Sequence, residues 1–153
     1  DTEAGMKKID YSIDKGELSE YGEPFSMEKQ GQRQVDYIGY DNVNNSNSNS
    51  FNVVVDAKGP EVHAHFSMHP FRKKQIDNEP LDEYPDHVIV YLSATDNMVG
   101  CDKILYSING GYEKKYLAQI DGFRKGKTYT LKVRAFDKLG NENSKEFRFT
   151  IAE

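Results

Sequence analysis

Apolar and polar residues alternate along several short segments of the chain, and this alternation is typical of half-buried β-strands. Residues 129 to 136 (Tyr-Thr-Leu-Lys-Val-Arg-Ala-Phe) place apolar side chains at every second position. Residues 62 to 68 and 146 to 151 show the same alternation, and residues 88 to 92 begin another strand. No segment shows a sustained helical period. The pattern predicts an all-β chain with helix close to absent.

The sequence also repeats itself at a spacing close to the ~100 residues of one immunoglobulin-like domain. Residues 1 to 56 match residues 96 to 152 with one inserted residue. Identical residues in the two copies include Asp1/Asp96, Gly5/Gly100, Ile9/Ile104, Tyr11/Tyr106, Gly16/Gly111, Tyr21/Tyr116, Gly31/Gly126, Asp41/Asp137 and Phe51/Phe147. The repeat predicts an immunoglobulin-like antiparallel β-sandwich in tandem copies.

Two turns of the second copy have the residues that tight chain reversals require. Asn109-Gly110 follows the strand pattern of residues 103 to 108, and this pair suits a hairpin turn in which both central residues have positive φ. Gly140 provides positive φ after Asp137, and Asn44, the next most tolerant residue type, takes its place in the first copy. Both turns predict antiparallel neighbouring strands.

The repeat divides the chain between residues 57 and 58. Residues 58 to 153 are predicted to form a complete immunoglobulin-like repeat, and residues 1 to 57 the C-terminal part of a first repeat whose first strands are missing. Those strands would contribute about five large inward side chains at roughly 1.5–3 kcal/mol each, which equals the net stability of a typical domain. We expect residues 1 to 57 to be ordered only when another segment of a longer array, or a second chain, supplies the strands.

The motif shared by the two copies resembles the immunoglobulin-like repeats of bacterial cell-envelope proteins, in particular the OmpL47-type repeats. The residues that carry the resemblance are Thr95-Asp96-Asn97, Gly100, Ile104, Tyr106 to Gly111, Tyr116, Gly126, Tyr129 to Ala135, Asp137 and Gly140-Asn141. Residues 129 to 140 are also similar to the late strands of fibronectin type III domains. The resemblance implies an exported, non-enzymatic module that is repeated along a stalk or appended to another domain.

Composition and charge exclude several classes of function. The net charge of -5, with acidic residues directly after the basic run Arg72-Lys73-Lys74, argues against a nucleic-acid partner. No stretch reaches the ~20 apolar residues of a membrane span, so we expect no direct membrane insertion. A single cysteine, Cys101, rules out an internal disulfide and a thiolate metal cluster, and it is expected to be a buried, inert thiol.

Two sets of residues could hold a metal, but both have a simpler interpretation, and no metal or cofactor is predicted. His63, His65 and His69 lie on one strand face, where exposed histidines without a completing Cys or carboxylate are the favoured interpretation. Asp56, Asp96, Asn97 and Asp137 lie near strand ends, where calcium stiffens some tandem sandwiches. Turn capping by Asp and Asn side chains explains these residues better than calcium.

Residues 70 to 87 are predicted to form a polar loop, and a partner site is predicted within it, from Phe71 to Asp86, since functional residues concentrate in long loops on rigid scaffolds. The residues proposed to contact a partner are Phe71, Arg72, Ile76, Leu81 and Tyr84. Ten tyrosines without tryptophan suggest either framework packing, which the recurrence of Tyr11 and Tyr21 favours, or a stacking platform for sugar.

The sequence therefore predicts a non-enzymatic structural or adhesion module of a surface, periplasmic or secreted bacterial protein. It would act as a spacer or as a surface that binds a protein partner or another copy of the chain. The alternative is an accessory carbohydrate-binding module of a secreted glycoside hydrolase. No Ser-His-Asp, Cys-His or paired-carboxylate arrangement is assembled by the predicted strands, so an enzyme is not expected.

Overall fold

A computed structural model describes residues 3–153, and within them all regular structure is β-strand. The all-β prediction is confirmed. This part of the chain has no helix long and apolar enough to cross a membrane. The chain forms two compact units, unit 1 (Asp1–Ala57) and unit 2 (Lys58–Glu153). Asp1, which matches Asp96 in the repeat, lies outside the described residues.

The described part of unit 1, from residue 3 onward, is a single antiparallel sheet of four strands. Its strands are β1 (Met6–Ile13), β2 (Ser19–Glu20), β3 (Gly31–Asp41) and β4 (Ser46–Val55), in the order β2-β1-β3-β4. The longest pairing joins β3 and β4 from Gly31↔Val55 to Tyr40↔Ser46. A β-bulge interrupts the pairing of β1 with β3 between Met6 and Lys8.

Unit 2 is an immunoglobulin-like sandwich of eight strands in two sheets. Its strands are β5 (Glu61–Phe66), β6 (Arg72–Ile76), β7 (Glu79–Tyr84), β8 (Val90–Thr95), β9 (Cys101–Ile108), β10 (Lys114–Lys115), β11 (Thr128–Asp137) and β12 (Glu142–Ile151). The larger sheet has the order β10-β9-β11-β12-β7-β6, and β5 and β8 form the second sheet. Every pairing is antiparallel except that of β12 with β7.

The alternation of apolar residues puts the core of unit 2 between its two sheets. Val62 and Leu92 face inward from β5 and β8, and Leu131 and Val133 face them from β11. These side chains are at most 6% exposed, and Phe149 of β12 completes the centre of the core. The inward faces predicted for residues 62 to 68 and 129 to 136 are the ones observed.

The first unit repeats the strand order and hydrogen bonds of β9 to β12. Tyr11 pairs with Tyr37 in unit 1, and Tyr106 pairs with Val133 in unit 2. In the repeat, Tyr11 matches Tyr106 and Tyr37 matches Val133. The rings of Tyr11 and Tyr21 lie 6.4 Å apart at 81°, and those of Tyr106 and Tyr116 lie 6.3 Å apart at 77°. The matched tyrosines therefore have the same strand pairing and ring geometry in both units.

The predicted turn at Asn109-Gly110 is present, and the hairpin that it connects is short. Both residues have positive φ, and the Gly111 amide donates to the Ile108 carbonyl at 3.0 Å. The returning strand β10 pairs with β9 at only two positions. In the first copy Asp14 and Lys15 take up the same positive φ without a glycine.

The prediction of a polar loop over residues 70 to 87 is wrong. Residues 72 to 84 form the hairpin β6–β7, which reverses at Asp77-Asn78 with positive φ at both residues. Strand β7 then pairs in parallel with β12, from Phe149↔Asp82 to Ile151↔Tyr84. The segment extends the larger sheet of unit 2 because its backbone groups pair along β12 instead of facing solvent.

Candidate functional site

The five residues predicted to contact a partner divide between the surface and the interior of unit 2. Phe71 is 67% exposed, and Arg72 and Ile76 of β6 are accessible. Leu81 is buried, and Tyr84 is stacked on Phe66 in the core with ring centroids 4.4 Å apart. Only the first three can therefore contact a partner directly.

The hairpin buries a carboxylate that the sequence did not single out. Glu83 is 2% exposed, and the Arg72 Nε group donates to its Oε2 atom at 2.6 Å. The Lys74 Nζ atom lies 3.3 Å from Oε1. The hydrogen bond from Arg72 lowers the pKa of Glu83, and burial, which raises the pKa, opposes it less strongly. The three side chains link β6 to β7.

The lowered pKa of Glu83 predicts that unit 2 loses stability in acid. A carboxyl with a folded pKa below its unfolded value of about 4.3 contributes stability above that value and loses it as the pH falls through the folded pKa. We expect melting temperature to fall with pH below about 4, and the fall to be shallower in Glu83→Gln. The exposed Glu61→Gln is the control, and it should keep the wild-type pH profile.

The histidines of β5 have hydroxyl partners. His63 Nε2 lies 3.2 Å from Thr95 Oγ1, and His65 Nε2 lies 3.1 Å from Ser93 Oγ, both on β8. The two rings are 6.2 Å apart. His69 lies after the end of the strand and is exposed. Each ring nitrogen that faces β8 is hydrogen-bonded across the sheet, in agreement with a structural interpretation.

Aspartates at the strand ends cap turns, as the sequence suggested. Asp137 Oδ1 accepts from the backbone amides of Leu139 and Asn141, and Oδ2 accepts from the Asn141 side chain at 2.7 Å. Asp41 has the same three bonds in unit 1. Burial raises the pKa of Asp41, but the hydrogen bonds outweigh it and the pKa is lowered.

Asp96 caps a third turn. Its Oδ1 atom accepts from three consecutive backbone amides, those of Met98, Val99 and Gly100, and these bonds lower its pKa. A carboxylate oxygen of Asp96 lies within 4.8 Å of one of Asp137. Asp137 accepts three hydrogen bonds within its own turn, which supports the interpretation of these residues as turn caps.

Cys101 is half-buried at the start of β9. Its Sγ atom lies 3.8 Å from the Lys103 carbonyl oxygen. Burial raises the pKa of the Cys101 thiol, and the nearby charges of Asp102 and Asp96 raise it further. Because the thiolate is the reactive form, this environment disfavours a nucleophile.

Unit 1 exposes an apolar surface that the sequence did not identify as a site. We call it the open face; it lines an open groove of about 230 Å³ and consists of Ile9, Tyr11, Tyr21, Phe25, Tyr37 and Phe51, together with Val35, which is only 3% exposed. Tyr11 stacks on Phe25 with ring centroids 4.5 Å apart, and Tyr37 and Phe51 lie 6.2 Å apart. Tyr21, Phe25 and Phe51 are 43%, 40% and 51% exposed. Contiguous apolar patches are typical of interaction surfaces.

A smaller groove lies beside the turn at Asn109-Gly110 in unit 2. It has a volume of about 220 Å³ and is lined by residues that include Tyr106, Tyr112 and Lys114. Tyr112 is 95% exposed, and its matched position in the first copy is Glu17. Tyr112 is therefore not part of the repeated framework.

No protein-family model matches the sequence, and no curated protein matches it. Among solved structures, the chain is similar to the fibronectin(III)-like modules of CbhA from Clostridium thermocellum, with a TM-score of 0.43 and 9% sequence identity. The similarity covers 99% of this chain and 81% of that chain. At this identity and TM-score the similarity carries no information about ligand or activity. The assignment of the fold rests on the strand order of the chain itself.

Proposed function

We propose that the chain is a non-enzymatic structural module that acts as a spacer and binds protein through the open face of unit 1. The observation that supports this proposal is the exposure of three aromatic side chains, Tyr21 and Phe25 from the segment between β2 and β3, and Phe51 from β4. Such side chains are the type that anchors protein interfaces, because each buries a large area at low entropic cost. The resemblance of the repeat motif to envelope repeats supports an extracytoplasmic location, at the cell surface, in the periplasm or secreted.

Binding of the dye anilinonaphthalenesulfonate tests the open face, because this dye fluoresces on accessible apolar surface. The wild-type chain is expected to enhance its fluorescence, and the double variant Phe25→Ser/Phe51→Ser to lose most of that enhancement. Leu117→Ser removes an exposed apolar side chain of unit 2 and should leave the signal unchanged. Absence of dye binding to the wild-type chain would contradict the proposal.

A carbohydrate-binding module is the second candidate, and the exposed, non-repeated Tyr112 beside its groove favours it. Aromatic faces stack on sugar rings, so Tyr112 would provide the platform. On a glycan array the chain would then give a signal that Tyr112→Ala abolishes. Tyr91→Ala, which removes another exposed tyrosine, is the matched control. An array without signal rejects this candidate and leaves the first one standing.

A further inference from the structure

Unit 2 shows what covers the open face in a complete unit. The residues that match the open face are Ile104, Tyr106, Tyr116, Ile120, Leu131, Val133 and Phe147. In unit 2 they pack against the sheet of β5 and β8, whose inward side chains include Val62, Phe66 and Leu92. Ile120 is consequently 5% exposed, whereas its counterpart Phe25 is 40% exposed.

The receiving surface of unit 1 is already shaped for such a cover. The matched tyrosine pairs, Tyr11/Tyr21 and Tyr106/Tyr116, have the same ring geometry although only the second pair lies beneath a covering sheet. In unit 2, Ile120 also exchanges two backbone hydrogen bonds of 2.9 Å with Val90 of β8. In the described part of unit 1, Phe25 has no corresponding β-bridge. The aromatic rings that would receive a covering strand are therefore already in the arrangement seen in unit 2.

The sheet edge gives an independent indication. In unit 2, Phe149 to Ile151 of β12 pair in parallel with β7. The matched residues of unit 1 are Val53 to Val55 of β4, and within the described residues β4 is the edge of its sheet. Val54 is 44% exposed, whereas Thr150 at the matched position is 2% exposed. An uncovered edge of this kind offers main-chain groups for strand addition.

We propose that the partner of unit 1 is a β-segment of the same repeat type as residues 61–95, an inference that rests on the proposed function. We call it the completing segment. It would place two antiparallel strands, with apolar side chains at alternate positions, over the open face, and a third strand parallel to β4 along Val53 to Val55. Apolar contacts and main-chain pairing then act together, as in unit 2.

Two other occupants fit less well. A small ligand is held by a few convergent polar groups, and the atoms that line the groove of the open face are all apolar, since the tyrosine hydroxyls do not face it. A second copy of the chain has its own residues 61–95 in the core of unit 2, where Val62 is 1% and Val90 0% exposed. It could donate them only by unfolding that core.

A fusion tests the proposal, because the repeat aligns Asp1 with Asp96. Residues 58–95 are duplicated and joined directly before Asp1 of the full chain, in the order found in unit 2. The fusion is expected to lose the dye fluorescence of the open face, to resist proteolysis within residues 1–57, and to slow amide exchange at Val53 to Val55 at least about tenfold. In the control fusion the duplicated Val62, Phe66 and Leu92 are replaced by serine, and it should behave as the unfused chain does.

The outcomes separate this proposal from the proposed function. If the unfused chain does not bind the dye, the open face is not accessible and the proposed function fails. If it binds the dye and the fusion neither removes the signal nor protects Val53 to Val55 beyond the control fusion, the completing segment is the wrong partner. Dimers of the unfused chain in sedimentation, with the dye signal lost on dimerisation, would also overturn it in favour of a second copy. Should the fusion be insoluble, a synthetic peptide of residues 58–95 replaces it, and failure to displace the dye overturns the proposal.

Discussion

Replacing Phe149 by alanine is expected to destabilise unit 2 by about 3–5 kcal/mol, the usual cost of removing a buried aromatic side chain. Phe149 is 1% exposed, and its ring lies 5.1 Å from that of Phe66 and 5.2 Å from that of Phe123. The substitution leaves a cavity between the two sheets. Hydrogen exchange at the amides of β11 measures the loss in unit 2 separately from unit 1.

Phe51→Ala is the matched control for this prediction. The substitution is the same, but Phe51 is 51% exposed on the open face, so its removal should cost less than about 1 kcal/mol. If the two variants lose the same amount of stability, the conclusion that the sheet of unit 2 is covered and that of unit 1 is not would be contradicted. In the fusion that carries the completing segment, the cost of Phe51→Ala should rise.

Asp137→Ala is expected to have the second largest effect, about 2–4 kcal/mol, because it leaves two backbone amides and one side-chain amide without their acceptor. Asp137 is 2% exposed, so water does not replace it readily. The turn between β11 and β12 then loses the groups that fix it. Thermal unfolding followed by circular dichroism, with amide exchange at Leu139 and Asn141, measures the effect.

Two further variants identify its cause. Asp137→Asn keeps one oxygen for the backbone amides but turns an NH₂ group toward the Asn141 amide, so its stability should lie between those of wild type and alanine. Asp41→Ala removes the same three bonds from unit 1 and should leave amide exchange in unit 2 unchanged. If Asp137→Ala leaves the stability of unit 2 unchanged, the pairing of β11 with β12 is sufficient to hold the turn.

The repeat made most of the fold predictable, because strand pairs and turns are local and occur twice. The alternation of residues 129 to 136, the positive φ of Asn109 and Gly110, and the matched settings of Tyr11 and Tyr106 follow from neighbouring residues in the sequence. The sandwich follows from the need to bury the apolar side of each sheet.

The hairpin β6–β7 could not be predicted from alternation, since its strands are mostly charged and polar. Asp77-Asn78 was the one local signal, because such a pair between two short segments favours a hairpin turn. The burial of Glu83 depends on Arg72 across the hairpin, and a carboxylate is ordinarily expected at the surface. The parallel pairing of β7 with β12 joins residues far apart in sequence.

The open face was also missed as a site, although the missing strands were inferred. Sequence matching identified Tyr11 and Tyr21 as framework residues, and they do occupy framework positions. They are accessible because no second sheet covers them in the described part of unit 1, and this depends on the surroundings of the residues and not on their identity. The exposure of Phe25 and Phe51 is therefore evident only from the structure.

The parallel pairing of β7 with β12 has a mechanical consequence for a module in a stalk. Once β5 and β6 have detached, tension applied through the two ends of unit 2 pulls β7 toward its amino end and β12 toward its carboxyl end. Hydrogen bonds between two such strands are loaded in shear and must break together, whereas those of a hairpin open one after another from the turn or the free ends. If the module lies in a stalk, the pairing of residues 149 to 151 with residues 82 to 84 would resist stretching of the unit.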